Sequence, residues 1–542
     1  AVAIKEGKFV GAGTDSEIEK LVGPNTEVID LGGKTVIPGF IDGHAHMDRE
    51  GLKFQFPSLT GKKSIKEILE VIESEVKKKK PGEWVVTMPF GDYPGYFGSE
   101  TPEFLKEKKF PNRHDLDRAS PNNPVYLRGI WYYWRKTLPI VSIANSYALK
   151  LAGITRDTVP PYEGVEIVKD DQTGEPTGVF LEWNQPDTVE FSLMKVVPRF
   201  THEERVEGLK DSMQRYNAVG TTSMYEGHGI SSETLRAYKA LWERGDITVR
   251  SYLVISPAWD AAPDAEIGEV LRDWAAYAAG IGFGDNRLKV GGIWTAIGNP
   301  MPEKIRRKER PYTAWAGYGV DQSLPPERGS LYDLVLATAR AGLRANGIVA
   351  LPSLLASYLD ALERTNEQIP ITDKRFVLQH LGYVTESQQE TIKRLGVVAT
   401  IIPGSSLWMA GSEIIQEASE EKLNTFIPLK SFIEKGIPFV ISTDNKPIEP
   451  LHAFWIAVAR KERVTGKVIG PGQKISREEA LRALTINGAY LTFEENIKGS
   501  IEPGKLADLV TLSDDILTCP EEEIEDIEVL TTMVGGKIVF RK

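Results

Sequence analysis

The stretch TVIPGFIDGHAHMD, residues 35–48, decides the fold and the chemistry of this chain. Residues 36–41 are apolar or small and predict a buried β-strand, which leads into two histidines, His44 and His46. Alternate residues of a strand share a face, so both imidazoles can point the same way. Two converging imidazoles suit a divalent transition metal such as zinc. The alternative is a pair of structural histidines in a turn.

The composition is that of a soluble globular protein. The chain has 542 residues, 41% hydrophobic and 26% charged, which suits one large α/β domain with additions. The net charge of -11 argues against a dedicated surface for nucleic acids or anionic membranes. No apolar run is long enough to cross a membrane. With Cys519 as the only cysteine we predict no intrachain disulfide and a cytoplasmic protein, and the start at Ala1 leaves open whether a leader was removed.

Both ends of the chain consist of short strand patterns separated by turns. Residues 1–31 alternate β-like runs with turns, and a similar pattern returns near the C-terminus. We therefore predict that residues 1–38 and 495–542 form one small β-sandwich domain, with a barrel of residues 39–494 between them. Residues 50–200 predict a long insertion after the first strand, because they hold loops rich in glycine, proline and aromatic residues.

A regular alternation of helices and strands begins near residue 203. Amphipathic helical patterns alternate with apolar strand patterns as far as ISTDN at residues 441–445. With the first strand this makes eight strands, each except the first preceded by a helix. The pattern predicts an α/β fold, a (β/α)8 TIM barrel. A last helix follows, with Ser476 as N-cap and Glu479 completing a capping box.

Polar side chains follow several of these strands. Catalytic groups of a TIM barrel lie at the carboxyl ends of its strands. Four of the seven histidines stand there, a clustering that packing alone explains poorly. Taken singly, His380 also suits a buried core position, Asp444 a helix N-cap and His228 an exposed loop. In chain order, the candidates at strand ends are His44, His46, Glu226, His228, Trp294, Ile348, His380 and Asp444.

Three motifs resemble the amidohydrolase superfamily: VIPGFIDGHAHMD near the N-terminus, ISTDN at the eighth strand and GSIEPGKLADLVTL near the C-terminus. NSYALKLAGIT and TGEPTGVFLE are similar to its YtcJ-like branch, which includes N-substituted formamide deformylase. The resemblance runs nearly end to end. It implies a (β/α)8 barrel beside a β-sandwich, and one or two divalent metals that activate water to hydrolyse C–N or similar bonds. It also implies that His44, His46, His380 and Asp444 bind metal.

Two positions depart from that family pattern. Trp294 stands where two-metal members carry a metal-bridging lysine on the fourth strand, and Ile348 where members carry a histidine on the fifth. Neither side chain can bind a metal, so we predict a single ion, with Glu226 or His228 filling a gap from the second strand. Zinc is the first choice, and manganese, iron and cobalt also suit imidazole and carboxylate ligands. The alternative is a decayed site that no longer catalyses.

The predicted chemistry is metal-assisted hydrolysis of a C–N bond. A bound cation lowers the pKa of its water from about 16 towards about 7. Asp444 would accept the water's proton and later deliver it to the leaving group. The metal, or a nearby donor such as His228 or His380, would polarise the substrate carbonyl, and Glu226 is a further catalytic candidate. The same site could instead hydrolyse a C–C bond or hydrate an activated double bond.

Aromatic side chains carry the substrate prediction. Trp294, in place of a metal-binding residue, makes its side of the pocket apolar. Trp131, Trp134 and Tyr312 lie in segments that can face the barrel mouth, although the first two equally suit packing or a subunit contact. We therefore predict a neutral, fairly hydrophobic or cyclic small molecule as substrate, with no nucleic-acid or membrane partner. A homodimer is expected by analogy alone.

Overall fold

Eight parallel strands, hydrogen-bonded in chain order, build the predicted barrel. In this computed structural model, residues 1–91, 101–129, 139–183, 188–297 and 323–542 are described. Within them the first and eighth strands share no backbone ladder, so the barrel is nearly closed. The (β/α)8 fold is thereby confirmed. The strands are Phe40–Asp42, Thr221–Ile230, Arg250–Ile255, Leu288–Trp294, Ala345–Ile348, Val377–Gln379, Val398–Ile401 and Phe439–Ile441.

A helix precedes each barrel strand except the first. Four of the seven helices that do so begin at a Ser or Thr N-cap, whose hydroxyl accepts a hydrogen bond from a backbone amide of the first turn. The predicted capping box of Ser476 and Glu479 is present as well. The seven helices are His202–Ala218, Ser232–Arg244, Ile267–Ala278, Leu331–Arg340, Pro352–Gln368, Glu386–Arg394 and Leu429–Lys435. Further helices after the seventh barrel strand are Gly411–Glu417, Glu420–Leu423, Pro450–Ala459, Arg477–Ala483 and Ile486–Leu491.

The two ends of the chain meet in one antiparallel sheet. Its four strands run in the order Lys537–Arg541, Val529–Val534, Leu509–Leu512 and Thr35–Pro38. The N-terminal hairpin, Val2–Lys5 with Lys8–Ala12, is tied to this region by the amide of Phe9, which donates to the carbonyl of Lys505 at 2.9 Å. The domain boundaries at residues 38 and 495 stay a prediction.

The predicted single strand at residues 36–41 is wrong in one respect, because it is two strands. Thr35–Pro38 pairs with the C-terminal strand Leu509–Leu512, whereas Phe40–Asp42 pairs with the second barrel strand. Gly39 lies between them, so close to Thr222 that an added Cβ would lie 2.3 Å from that side chain. The chain therefore passes from one sheet into the other at a residue that must be glycine.

The segment between the first and second barrel strands forms a sheet of its own. Helices pack on this sheet, among them the amphipathic helix Ile65–Val76, with Ser64 as its N-cap. The other helices of this segment are Met47–Glu50, Arg113–Ala119, Ser146–Ala152 and Thr188–Phe191. In spatial order the five strands are Val165–Lys169, Pro176–Glu182, Ile140–Ala144, Val125–Leu127 and Val85–Thr87.

The barrel interior is filled by side chains of the strands themselves. Tyr225, Tyr252, Trp294, Val377 and Val440 belong to one buried cluster, although they come from five different strands. A packed interior of this kind holds the strand ends in fixed positions. Among the described residues, no helix is both long and apolar enough to cross a membrane.

Candidate metal centre

The first and eighth barrel strands are joined through the buried carboxylate of Asp42. It accepts hydrogen bonds from the amides of His44 and Thr443, both at 3.1 Å, and from the hydroxyl of Thr443 at 2.5 Å. Burial raises the pKa of Asp42 to about 6, although these hydrogen bonds oppose the shift. The carboxylate thus fixes the turn that carries His44 against the turn that follows the eighth strand.

The four predicted metal ligands meet at the carboxyl ends of the strands. Nε2 of His46 lies 2.9 Å from Oδ1 of Asp444, and Nε2 of His44 lies 3.6 Å from the same oxygen. Nε2 of His380 lies 3.2 Å from Nε2 of His44 and 3.8 Å from Oδ2 of Asp444. The ligand atoms of His44, His46 and Asp444 all lie within 4.8 Å of one another.

This arrangement fits a cation. Burial and the neighbouring imidazole of His380 lower the pKa of His44 well below its usual value, and burial lowers that of His380 to about 4. Both rings are therefore neutral at pH 7, yet their nitrogens face each other and share a carboxylate. Neutral imidazoles with a carboxylate are the ligands that zinc and similar metals bind. A metal ion between these atoms would accept the lone pair of a nitrogen from each ring.

Glu226, on the second strand, lies behind His46 rather than at the point of convergence. Its Oε1 is 2.9 Å from Nδ1 of His46, the ring nitrogen that faces away from Asp444. A metal-binding histidine commonly holds its second nitrogen against a carboxylate in this way. Burial and Arg49 lower the pKa of His46, but Glu226 and Asp444 outweigh them and raise it, so a positive charge is stabilised at this ring. Burial raises the pKa of Glu226 itself to about 7.

His228 stands between the predicted ligands and the fourth strand. Its ring centroid is 5.6 Å from that of His46 and 4.6 Å from that of Trp294, against which it lies at a steep angle. Burial, together with His46, lowers its pKa well below the usual range, so the ring is neutral. The catalytic roles suggested by the sequence for His228 and Glu226 stay predictions.

The fourth and fifth strands end in apolar side chains, as expected. Trp294 is the last residue of its strand and is only 3% exposed, and Ile348 is the last residue of the next. The other predicted pocket residues, Trp131, Trp134 and Tyr312, lie outside the described residues.

The sequence interpretation missed Lys446, two residues after Asp444. Its ammonium is buried and lies 2.5 Å from Oδ2 of Asp444. Burial favours the protonated form of Asp444, but Lys446, His380 and His46 outweigh it and hold the pKa of this carboxyl well below its usual value. Asp444 is therefore ionised at neutral pH. The only sequence signal for this role was that Lys446 directly follows the ISTDN motif. The local sequence does not indicate which way its side chain points.

A second group of potential ligands is formed by His46, Asp48 and Glu226. Two contacts already account for it. Asp48 pairs with Nε of Arg49 at 3.1 Å, and Glu226 holds Nδ1 of His46. We therefore interpret these carboxylates as support for the first group.

Comparison with known proteins agrees with this geometry. The profile of the amidohydrolase family matches residues 27–540. N-substituted formamide deformylase of Arthrobacter pascens is 26% identical, and the alignment covers the whole chain and 95% of that protein. Putative amidohydrolase YtcJ of Bacillus subtilis is 25% identical, over the whole chain and 96% of its own length.

Solved structures agree on the fold. The crystal structure of an uncharacterized metal-dependent hydrolase from Pyrococcus horikoshii superposes with a TM-score of 0.66 and 21% identity, covering 96% of this chain and 95% of that one. At this identity the likeness supports the fold alone. Because the family profile spans almost the entire sequence, the chain belongs to the amidohydrolase family, in its YtcJ-like branch, and is a hydrolase.

Proposed function

We propose that this protein is a metal-dependent hydrolase that cleaves a C–N bond of amide type in a neutral, fairly hydrophobic or cyclic small molecule. The observation that carries the proposal is the convergence of His44, His46 and His380 on the ionised carboxylate of Asp444. These four side chains would hold one divalent ion, and zinc suits them best. When bound, that ion would acidify a water molecule and polarise the substrate carbonyl.

Asp444 is the residue best placed to move the proton. It would accept one proton from the attacking water as the water oxygen bonds to the carbonyl carbon. It would then deliver that proton to the nitrogen as the C–N bond breaks, so that a carboxylic acid and an amine leave. Lys446 holds Oδ2 of the carboxylate and so keeps Oδ1 turned towards His44 and His46. Glu226 would orient the ring of His46.

The substrate class rests on the opposite side of the mouth. The indole of Trp294 and the aliphatic side chain of Ile348 offer apolar contact and no charge. Pockets lined in this way bind apolar parts of small molecules. The relative from Arthrobacter pascens is named for deformylation of N-substituted formamides, which is cleavage of the same bond class. The same two departures from the family pattern keep C–C hydrolysis or hydration of an activated double bond as the second candidate.

A substrate screen in isotopic water tests the proposal. Zinc-loaded protein is incubated with amides, formamides, ureas, lactams and cyclic ketones in water enriched in oxygen-18, and products are weighed by mass spectrometry. We expect an amine and an acid that carries one heavy oxygen. From a lactam the expected product is a single ring-opened amino acid that carries one heavy oxygen. A product that gains a whole water with every C–N bond intact would support C–C hydrolysis or hydration instead. A clear preference for small charged substrates would contradict the apolar pocket.

A further inference from the structure

The first and eighth strands are joined, within the described residues, by side-chain contacts and a backbone hydrogen bond instead of a ladder. Within the described residues these strands share no paired register, although every other neighbouring pair does. The amide of Asp444 donates to the carbonyl of His44 at 2.9 Å, and Asp42 contacts Thr443 as described above. His44 and His46 follow the first strand and Asp444 follows the eighth. The contacts between these two segments therefore set the distances between the predicted metal ligands.

The side-chain amide of Asn445 makes a further contact between the segments that follow these two strands. Its Oδ1 accepts from the backbone amide of His46 at 2.9 Å, and its Nδ2 donates to the backbone carbonyl of His46 at 3.1 Å. This two-way contact satisfies both backbone groups of His46, as a residue of an antiparallel strand would. Asn445 is 2% exposed and has a left-handed backbone, φ 54°, which asparagine adopts more readily than most residues.

Two further partners fix the orientation of this amide. The hydroxyl of Tyr216, from helix His202–Ala218, donates to Oδ1 at 2.6 Å, and Nδ2 donates to Oε2 of Glu50 at 2.9 Å. Glu50 is itself neutralised by Lys53, whose ammonium lies 2.9 Å away. Both partners of the oxygen are donors and both partners of the nitrogen are acceptors, so all four hydrogen bonds are satisfied in one orientation only.

We propose that Asn445 is a positioning residue of the metal centre, which acts by holding His46 at its short distance from Asp444. Asp444 precedes Asn445 directly, so an amide that holds the backbone of His46 also fixes the 2.9 Å between Nε2 of His46 and Oδ1 of Asp444. Metal ligands must be held close to their bonding geometry for tight binding. The inference rests on the proposed metal site, but it does not depend on which bond is cleaved.

The test compares two buried asparagines that each make four hydrogen bonds. Asn145, the N-cap of helix Ser146–Ala152, accepts from the amides of Val125 and Ala148 and donates to the carbonyls of Ser120 and Asn123. The affinities of Asn445→Ala, Asn145→Ala and wild type for zinc are measured by competition with a chelator. We expect Asn445→Ala to bind zinc about 10- to 100-fold more weakly than wild type. Asn145→Ala should lose stability but keep its zinc affinity.

The outcomes separate the inference from the proposed function. Wild-type protein that binds no zinc contradicts the metal site itself. Wild-type protein that binds zinc, with equal affinity in both variants, contradicts the role of Asn445. If Asn445→Ala does not fold, Tyr216→Phe decides, because it removes only one donor to the amide. A severalfold weaker zinc affinity in folded Tyr216→Phe supports the proposal, and an unchanged affinity overturns it.

Discussion

The two halves of the barrel mouth carry opposite kinds of side chain. The half built from the first, sixth and eighth strands presents three imidazoles and the carboxylate of Asp444. The half built from the fourth and fifth strands presents Trp294 and Ile348, with His228 between the two halves. From this difference we propose that one side of the mouth holds a cation and that the other contacts an apolar part of the substrate. The first three predictions below each change one half and leave the other as a reference, and the last two lie outside both halves.

The largest effect should follow removal of the cation from the polar half. Dialysis against a chelator should reduce hydrolysis to the level of buffer, because the ion would both acidify the water and polarise the carbonyl. Re-addition of zinc, manganese or cobalt should restore turnover to different extents. Activity that persists after elemental analysis finds no metal would contradict the polar half as the reaction centre.

Asp444→Asn should lower kcat by roughly 10²- to 10⁴-fold while most of the metal is retained, because the amide cannot accept the proton. Steady-state kinetics and metal analysis on the same sample check both parts. Asp508→Asn is the control, since Asp508 is an equally buried carboxylate, paired with Arg250 at 2.7 and 3.0 Å at the amino ends of the strands. Equal kcat in the two variants would remove Asp444 from the proton transfer.

Trp294→Phe tests the apolar half. Loss of part of the indole should remove about 1 kcal/mol of apolar contact, or roughly a fivefold rise in KM for hydrophobic substrates. The metal content should stay at the wild-type value, because no predicted ligand is altered. Unchanged KM across a series of substrates of increasing hydrophobicity would show that the substrate does not contact this side.

The smallest effect on activity should follow a substitution at the amino end of the fourth strand, the strand that ends in Trp294. There Lys289 pairs with Glu494 at 3.0 Å, and Lys498 pairs with it at 2.7 Å. Burial opposes ionisation of Glu494, but the two ammonium groups outweigh it and lower its pKa to about 2. Glu494→Gln should therefore cost about 3 kcal/mol of unfolding free energy at pH 7 with kcat unchanged.

The pH dependence of that loss has a fixed sign. Because the folded pKa of Glu494 lies below the ordinary value of 4.5, its stabilisation is full above about pH 5 and fades as the pH falls towards 2. Urea unfolding of wild type and Glu494→Gln across this range should show the two curves converging at low pH. A constant difference between them would contradict the low pKa.

The parts of this protein that were predictable have local signals. Apolar strand patterns alternating with amphipathic helices predict the eight strands, and the rule that functional groups follow the strands selects His44, His46, His380 and Asp444. The structure brings these four side chains together. Trp294 and Ile348 were predictable in the same way, because each ends a strand whose position in the series is known.

The parts that were not predictable depend on contacts between distant segments. The contact of Glu226 with Nδ1 of His46 joins residues 180 positions apart, and no local pattern states which nitrogen it meets. Asn445 and Lys446 follow Asp444 directly, but their directions depend on left-handed backbone at Asp444 and Asn445. The division of the first strand at Gly39 depends on a C-terminal partner that the local sequence does not reveal.

The passage of residues 35–42 through two sheets has a consequence for engineering. Only Gly43 separates the end of the first barrel strand, Asp42, from His44. Pro38, four residues before Asp42, is already part of the terminal sheet. A version truncated to the barrel alone would therefore begin with an unpaired N-terminal segment next to His44, a predicted metal ligand. The terminal sheet serves as an anchorage for the reaction centre, although none of its side chains is among the predicted ligands.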